Sequence, residues 1–157
     1  MIEKNKKMNM ELSNIKYQNL ELNTDLKEIV EAGFVNANGF VFLKMLYEKA
    51  TNVSEIDFPD RTGYECFINS VHIDDFVEAD CLITACMFVD FIFKKWKDAN
   101  IKGVLCAIIS SEELSTIVKI HLKRNGESWL DENIEKYEDA VLVTDTESTL
   151  IENLFPV

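Results

Sequence analysis

The 157-residue chain carries 16 lysines and arginines against 28 aspartates and glutamates, a net charge of −12. This balance argues against a broad phosphate-binding surface, because nucleic acid requires a basic footprint. With 47% apolar residues, five glycines and two prolines, the composition is that of an ordinary globular protein. Its length is enough to bury about 70% of the unfolded surface without a disulfide or metal staple.

The first stretch, MIEKNKKMNMELSN, has lysines but no apolar run behind them, so no secretion signal is expected and the cytoplasm is the expected compartment. Residues 1–13 are expected to form a flexible tail, with a single α+β domain over residues 14–157. Ile15 to Leu22 alternates in two short phases and suggests at most a short strand. Asn23 or Thr24 can cap a helix through Leu26, Ile29 and Val30 that Gly33 ends. Asn38 is expected to cap a second helix over Phe40 to Ala50, whose Phe40, Leu43, Leu46 and Tyr47 share a face. Thr51 to Gly63, with Pro59, Asp60 and Gly63, reads as a connection, and Tyr64 to Ile73 as a strand.

Asp80 to Lys97 is the centre of the expected fold. From Cys81 to Phe93 every position is apolar except Thr84 and Asp90, so protein should wrap the segment on most sides. Its length favours helix over strand. A membrane span needs roughly 20 apolar residues, whereas this run is cut by Asp90 and closed by Lys94, Lys95 and Lys97. Asp74, Asp75, Glu78 and Asp80 gather where the helix dipole is positive and the lysines where it is negative. Asp90 is expected to pair with Lys94, four residues on.

Beyond Gly103, the apolar run VLCAII predicts an interior strand, and Ser110 to Glu113 a short polar connection. Ser115 to Lys123 then alternates cleanly: Thr116, Val118, Ile120 and Leu122 face one way, Ile117, Lys119, His121 and Lys123 the other. The spacing predicts an antiparallel hairpin with one basic face, and Lys119, His121, Lys123 and Arg124 form the only candidate basic stripe. Asn125 and Gly126 signal a two-residue turn, after which Glu127 to Leu130 is expected to pair back as a strand. Asp131 can cap a short helix to Tyr137, Ala140 to Thr144 a buried strand, and Asp145 or Thr146 a terminal helix containing Leu150, Ile151, Leu154 and Phe155. The expected architecture is α+β: the buried helix covers a mainly antiparallel sheet of about four to five strands, with additional N-terminal helices.

No motif for chemistry stands out. The glycines are too dispersed to cradle a phosphate. His72, His121 and the cysteines Cys66, Cys81, Cys86 and Cys106 lie singly in apolar or alternating segments. Neither a metal site nor a cofactor is therefore expected, and the cysteines read as reduced core residues. His72, Asp74 and Asp75 cluster at a strand-to-helix junction and could serve as an acid–base pair with Cys81 or Ser70 as nucleophile, although helix-capping acids beside a surface His are the simpler reading.

Charge distribution says more. Beyond Arg124 there are nine acids against the single base Lys136, so two thirds of the net charge lies in the last fifth of the chain. Such a concentration is either solvated surface or a face for a cationic partner. As that face, Glu127, Asp131, Glu132, Glu135, Glu138 and Asp139 are the candidate contacts and Trp129 the candidate aromatic anchor. As a small acidic chain without cofactor motif or secretion signal, the protein resembles in general type the cytoplasmic immunity proteins that neutralise toxins of bacterial competition systems, including contact-dependent growth inhibition. The resemblance is one of overall character and carries no site residues over. It implies a non-enzymatic inhibitor of a basic toxin domain such as a nuclease, acting without nucleic acid or membrane as partner. The alternatives are a small hydrolase using His72, Asp74 and Asp75, and a self-associating subunit with Trp129, Phe155 and the C-terminal helix at a dimer seam. Monomer and homodimer both stay open.

Overall fold

The computed structural model describes residues 1–156, so Val157, the last residue of the expected domain, lies outside the described residues. The chain runs β1 (Ile2–Lys4), α1 (Lys6–Ser13), α2 (Thr24–Glu31), β2 (Phe34–Ala37), β3 (Phe40–Leu43), α3 (Lys44–Lys49), α4 (Arg61–Ile68) and β4 (Ser70–His72). It continues through α5 (Cys81–Asp98), β5 (Leu105–Glu112), β6 (Ser115–Leu122), β7 (Ala140–Asp145) and α6 (Leu150–Leu154). Five strands make one antiparallel sheet in the order β1-β7-β5-β6-β4, and β2 and β3 form a separate hairpin, an α+β fold.

The apolar pattern places the core. From Leu105 the VLCAII run enters β5, which continues through Ser110 to Glu112, paired with Ile117 to Ser115 rather than forming the expected connection; its Leu105, Ala107 and Ile109 bury against α5 together with Val118, Ile120 and Leu142. From α5, Phe88, Val89, Ile92 and Phe93 meet that face of the sheet in the same buried cluster, which α2 and α6 extend through Leu26, Ile29 and Leu150. A side chain fully buried in this way stabilises the fold by about 1.5–3 kcal/mol. Cys66, Cys86 and Cys106 are buried free thiols and Cys81 a half-buried one. Among the described residues no helix is long and apolar enough to cross a membrane.

Several local expectations are overturned. Residues 1–13 are not a tail: Ile2–Lys4 pairs with Thr144–Leu142 at the sheet edge, and Met8 of α1 is fully buried. Asn5 between them is 1% exposed; its Oδ1 accepts from Met8 N and Val141 N, and its Nδ2 donates to the Ile134 and Asp139 carbonyls. Of the sparse apolar residues of this stretch, Met8 is buried and Ile2 packs half-buried against the core, and charge count alone hides them. Ile15 to Leu22 runs without helix or strand.

The expected helix from Phe40 to Ala50 is instead a strand followed by the six-residue α3. Asn38 and Gly39 have φ of 56° and 83°, the paired left-handed geometry of a tight hairpin turn, and they join β2 to β3 with Ala37 opposite Phe40. Conversely, Tyr64 to Ile73 is not one strand but α4 followed by the short β4. Asp60 starts α4 by accepting from Gly63 N at 2.7 Å.

Asp90 does not pair with Lys94, whose ammonium lies 2.8 Å from Asp98 at the surface. Its two oxygens accept from Leu150 N at 2.7 Å and Ile151 N at 2.9 Å, so α5 caps the first turn of α6 in place of Asp145 or Thr146. At the start of α5, Asp80 is left-handed with φ of 58° and makes no side-chain cap.

Turning Tyr64 to Ile68 into a helix puts Glu65 and Asn69, four residues apart, on one side of α4. Both are fully buried and fully satisfied. The Glu65 carboxylate accepts from Val41 N at 2.6 Å, Leu122 N at 2.8 Å and both Arg124 Nη atoms at 2.7 Å. Asn69 accepts from Leu43 N and donates to the Val41 and Ile120 carbonyls. These two side chains therefore join the β2–β3 hairpin to strand β6 of the main sheet.

Arg124→Met would leave the Glu65 charge buried with only its two backbone donors. It is expected to lower the unfolding free energy in urea by about 3–5 kcal/mol. A loss below about 1 kcal/mol would show that the pair contributes little to joining the two sheets.

Candidate functional site

The face of the sheet opposite α5 is set by the alternation of β6 and its neighbours. Cys106 lies across from both His121 and Asp145, and Ile108 lies across from both Lys119 and Val143, so these residues share that face. It is not bare. Segment 127–139 folds back over it, and a cleft of about 260 Å3 remains between them, bounded by Ile108, His121 and Val143 below and Trp129, Leu130, Asp131, Glu132 and Ile134 above.

Hydrogen bonds within and beneath the segment hold its shape. After the turn at Asn125 and Gly126, Glu127 does not begin a strand but turns inward, where its carboxylate accepts from Thr62 N at 3.1 Å and Thr62 Oγ1 at 3.0 Å at the start of α4. Desolvation pushes its carboxyl upward, but the Thr62 donors and the charges of Arg124 and Arg61 outweigh this and hold it below the usual range. Asp131 is 2.7 Å from Lys136 Nζ and accepts from Asn133 N, and both contacts draw its carboxyl down. Its own N–H donates to the Tyr137 hydroxyl at 2.9 Å. In place of the expected helix to Tyr137 there is only a 3-10 turn, Ile134–Lys136, started by Asn133.

The seven candidate contacts divide accordingly. Trp129, Asp131 and Glu132 come together along the cleft, with Trp129 44% exposed. Glu127 is engaged at α4, and Glu135 accepts from Lys6 N at 2.9 Å at the first residue of α1. Asp139 is half-buried, its carbonyl bonded to Asn5. Glu138 is exposed away from the cleft walls, and neither it nor Glu132 has a hydrogen-bond partner among the described residues. Glu3 of β1 also lines the cleft; it was missed because residues 1–13 read as a tail, and the alternation of Ile2, Glu3 and Lys4 is its only signal.

The basic stripe is not a surface stripe. His121 is buried, Arg124 is engaged with Glu65, and Lys119 is half-buried with its ammonium 3.0 Å from Ser70 Oγ. Only Lys123 is well exposed, 3.9 Å from Asp145. Burial lowers the His121 pKa from its ordinary 6.5, against the raising effect of its contact with the Leu122 carbonyl.

His72, Asp74 and Asp75 do not assemble around a nucleophile. His72 is exposed on β4, while Asp74 accepts from Thr116 N at 3.0 Å. Asp74 lines a separate cleft with Cys81 that His72 does not reach. The Cys81 thiol is pushed up by burial and by Asp74 and Asp80, the reverse of what an attacking thiolate needs. Among the described residues, no three His, Cys, Asp or Glu side chains are placed to hold a metal ion.

Comparison with known proteins places the sequence in a family. The sequence model described as the Uncharacterized protein PM0498 family matches residues 3–153. The chain belongs to the PM0498 family. It is 30% identical over 149 residues to Uncharacterized protein PM0498 of Pasteurella multocida (strain Pm70), an alignment covering 87% of this chain and 90% of that relative. No solved structure matches the chain. The match over residues 3–153 spans β1 through most of α6, including the cleft and both of its walls.

Because the native His121 holds its proton less tightly than the unfolded one, acidification below its ordinary pKa of 6.5 shifts the balance toward the unfolded state. The stability it contributes is present above that pH and is lost as pH falls through the depressed native value. Urea titrations of the parent chain and of His121→Gln should show a smaller loss between pH 7 and pH 5 in the variant. Parallel pH profiles would remove His121 from the acid response.

Proposed function

We propose that this member of the PM0498 family is a non-enzymatic cytoplasmic binding protein whose acidic segment 127–139 covers a basic protein partner, and that it serves as an immunity protein neutralising a toxin domain such as a nuclease. The observation that carries the reading is the pairing of a half-exposed Trp129 with the free carboxylate of Glu132 on a segment anchored from beneath. Interfaces favour an aromatic anchor within a charged rim, and a preset segment binds without first being ordered. The excess of six acids over one base within segment 127–139 would speed the approach of a cationic partner.

The other two readings draw less support. The hydrolase needs His72 beside Asp74 and a nucleophile; Asp74 and Cys81 share a cleft, but His72 does not line it. The self-association seam loses one of its aromatic residues, since Phe155 stacks on Tyr17 of its own chain at 5.6 Å.

The test is co-expression with the polypeptide encoded immediately upstream. That product should arrest growth of a bacterial host and this chain should restore it; growth unaffected by the upstream product would remove the immunity reading. With the partner in hand, Glu132→Lys with Glu138→Lys should slow association about tenfold at low salt and flatten its salt dependence. Stability should change by no more than about 0.5 kcal/mol. An unchanged association rate would take the acidic segment out of the interface.

A further inference from the structure

Helix α4 is buried at every position except Arg61 and Phe67. In its first turn stands Gly63, whose N–H the Asp60 side chain caps. A Cβ there would crowd Asp60 Oδ1 at 3.2 Å and would meet the Trp129 ring at 3.8 Å and Phe58 Cβ at 3.9 Å, ordinary contact distances, so Trp129 and Phe58 both pack against the start of the helix at Gly63. Phe67, one turn on, continues the same face, with its ring 5.3 Å from that of Phe58. Phe67 is 55% exposed and Trp129 44%, and Ile56, on the 3-10 turn before α4, is 90% exposed.

This apolar strip has acids on both sides. Glu55 and Asp57 flank Ile56, and Glu132 stands beside Trp129. The nearby bases are engaged: the Arg61 guanidinium lies over the Phe40 ring at 5.2 Å, and Lys119, held by Ser70, lies over the Trp129 ring at 6.0 Å, the chain's own example of a cation on that ring. Aromatic faces attract cations, and a guanidinium both stacks on them and pairs with carboxylates. A second copy of this chain would instead bring two acidic rims together.

We infer that the strip formed by Phe58, Phe67 and Trp129 across Gly63 is a docking surface for an arginine-bearing segment of a basic protein partner. The inference rests on the proposed acidic binding face and extends it across α4 to Ile56. Arginine side chains lie on the aromatic rings while Glu55, Asp57 and Glu132 take their charges.

Trp129 provides the readout, since the other tryptophan, Trp96, is buried. The full chain is titrated with an oligo-arginine peptide, and tryptophan emission is followed in the parent and in Phe67→Ser, Ile56→Ser and Glu132→Lys. These side chains are exposed, so the variants should fold, and thermal melts check that they do. Oligo-arginine should change the Trp129 emission and bind more tightly than oligo-lysine. Phe67→Ser should weaken it about tenfold, and Ile56→Ser less. If Glu132→Lys abolishes binding while both apolar variants bind as the parent does, the strip is overturned and the acidic face stands. Binding indifferent to all three variants overturns both. An equal response to oligo-glutamate, or a dimer on size exclusion that Phe67→Ser converts to monomer, overturns the arginine-bearing occupant.

Discussion

The junction on which the rest of the molecule depends is the buried carboxylate of Glu65 with the guanidinium of Arg124. Two buried charges are costly to remove from water, and only geometry that satisfies nearly every donor and acceptor offsets the cost. Here the carboxylate takes four donors, two from Arg124 and two from backbone of different sheets, while Arg124 also donates to the Gly39 carbonyl. Asn69 repeats the pattern one turn along. The hairpin β2–β3 is thus attached to β6 through side chains of α4, and the same helix start receives Glu127 through Thr62. The position of the acidic segment follows from this junction.

The two faces of the sheet divide the work. One is apolar and closed by α5, and its packing sets the stability of the fold. The other carries Lys119, His121 and Asp145 among Cys106, Ile108 and Val143, and it is covered by a segment with little regular structure. Interior use of Lys119, His121 and Arg124 has an electrostatic effect outside. Bases that would dilute the negative surface are drawn inward, leaving carboxylates such as Glu132 and Glu138 facing solvent.

Legibility from sequence followed the strength of the local pattern. The long apolar run of α5, the VLCAII strand and the alternation of β6 were readable because their patterns agree with their environments. So was α2, with Asn23 capping it and Gly33 ending it. Misreadings fell where one cue was allowed to outweigh another. The Asn38-Gly39 turn was hidden because the apolar residues that follow it also fit a helical face, although Asn125-Gly126 was recognised on the same chemistry. Tyr64 to Asn69 resembled a strand because its buried polar residues, Glu65 and Asn69, find partners only in distant β3, β6 and Arg124. Of the seven candidate contacts, Trp129, Asp131 and Glu132 line the cleft, whereas Glu3, which also lines it, gave no clear signal. Which of the seven turn inward could not be read, because Thr62 and Lys6, which receive Glu127 and Glu135, are remote in sequence. Phe67 and Ile56 gave no signal while Tyr64 to Ile73 read as strand.

The first and last parts of the sheet meet late. Asn5 and Val141, bonded to each other beside the β1–β7 pairing, are 136 residues apart, and β7 itself separates β1 from β5. During synthesis β5 and β6 can close their hairpin as soon as they emerge, whereas β1 has no neighbour until nearly the whole chain is made. Asn5 also donates to the Ile134 and Asp139 carbonyls, so the 134–139 end of the acidic segment is fixed only with that closure, while Glu127 at its other end is held by Thr62. The finished acidic surface therefore waits on the pairing of β1 with β7.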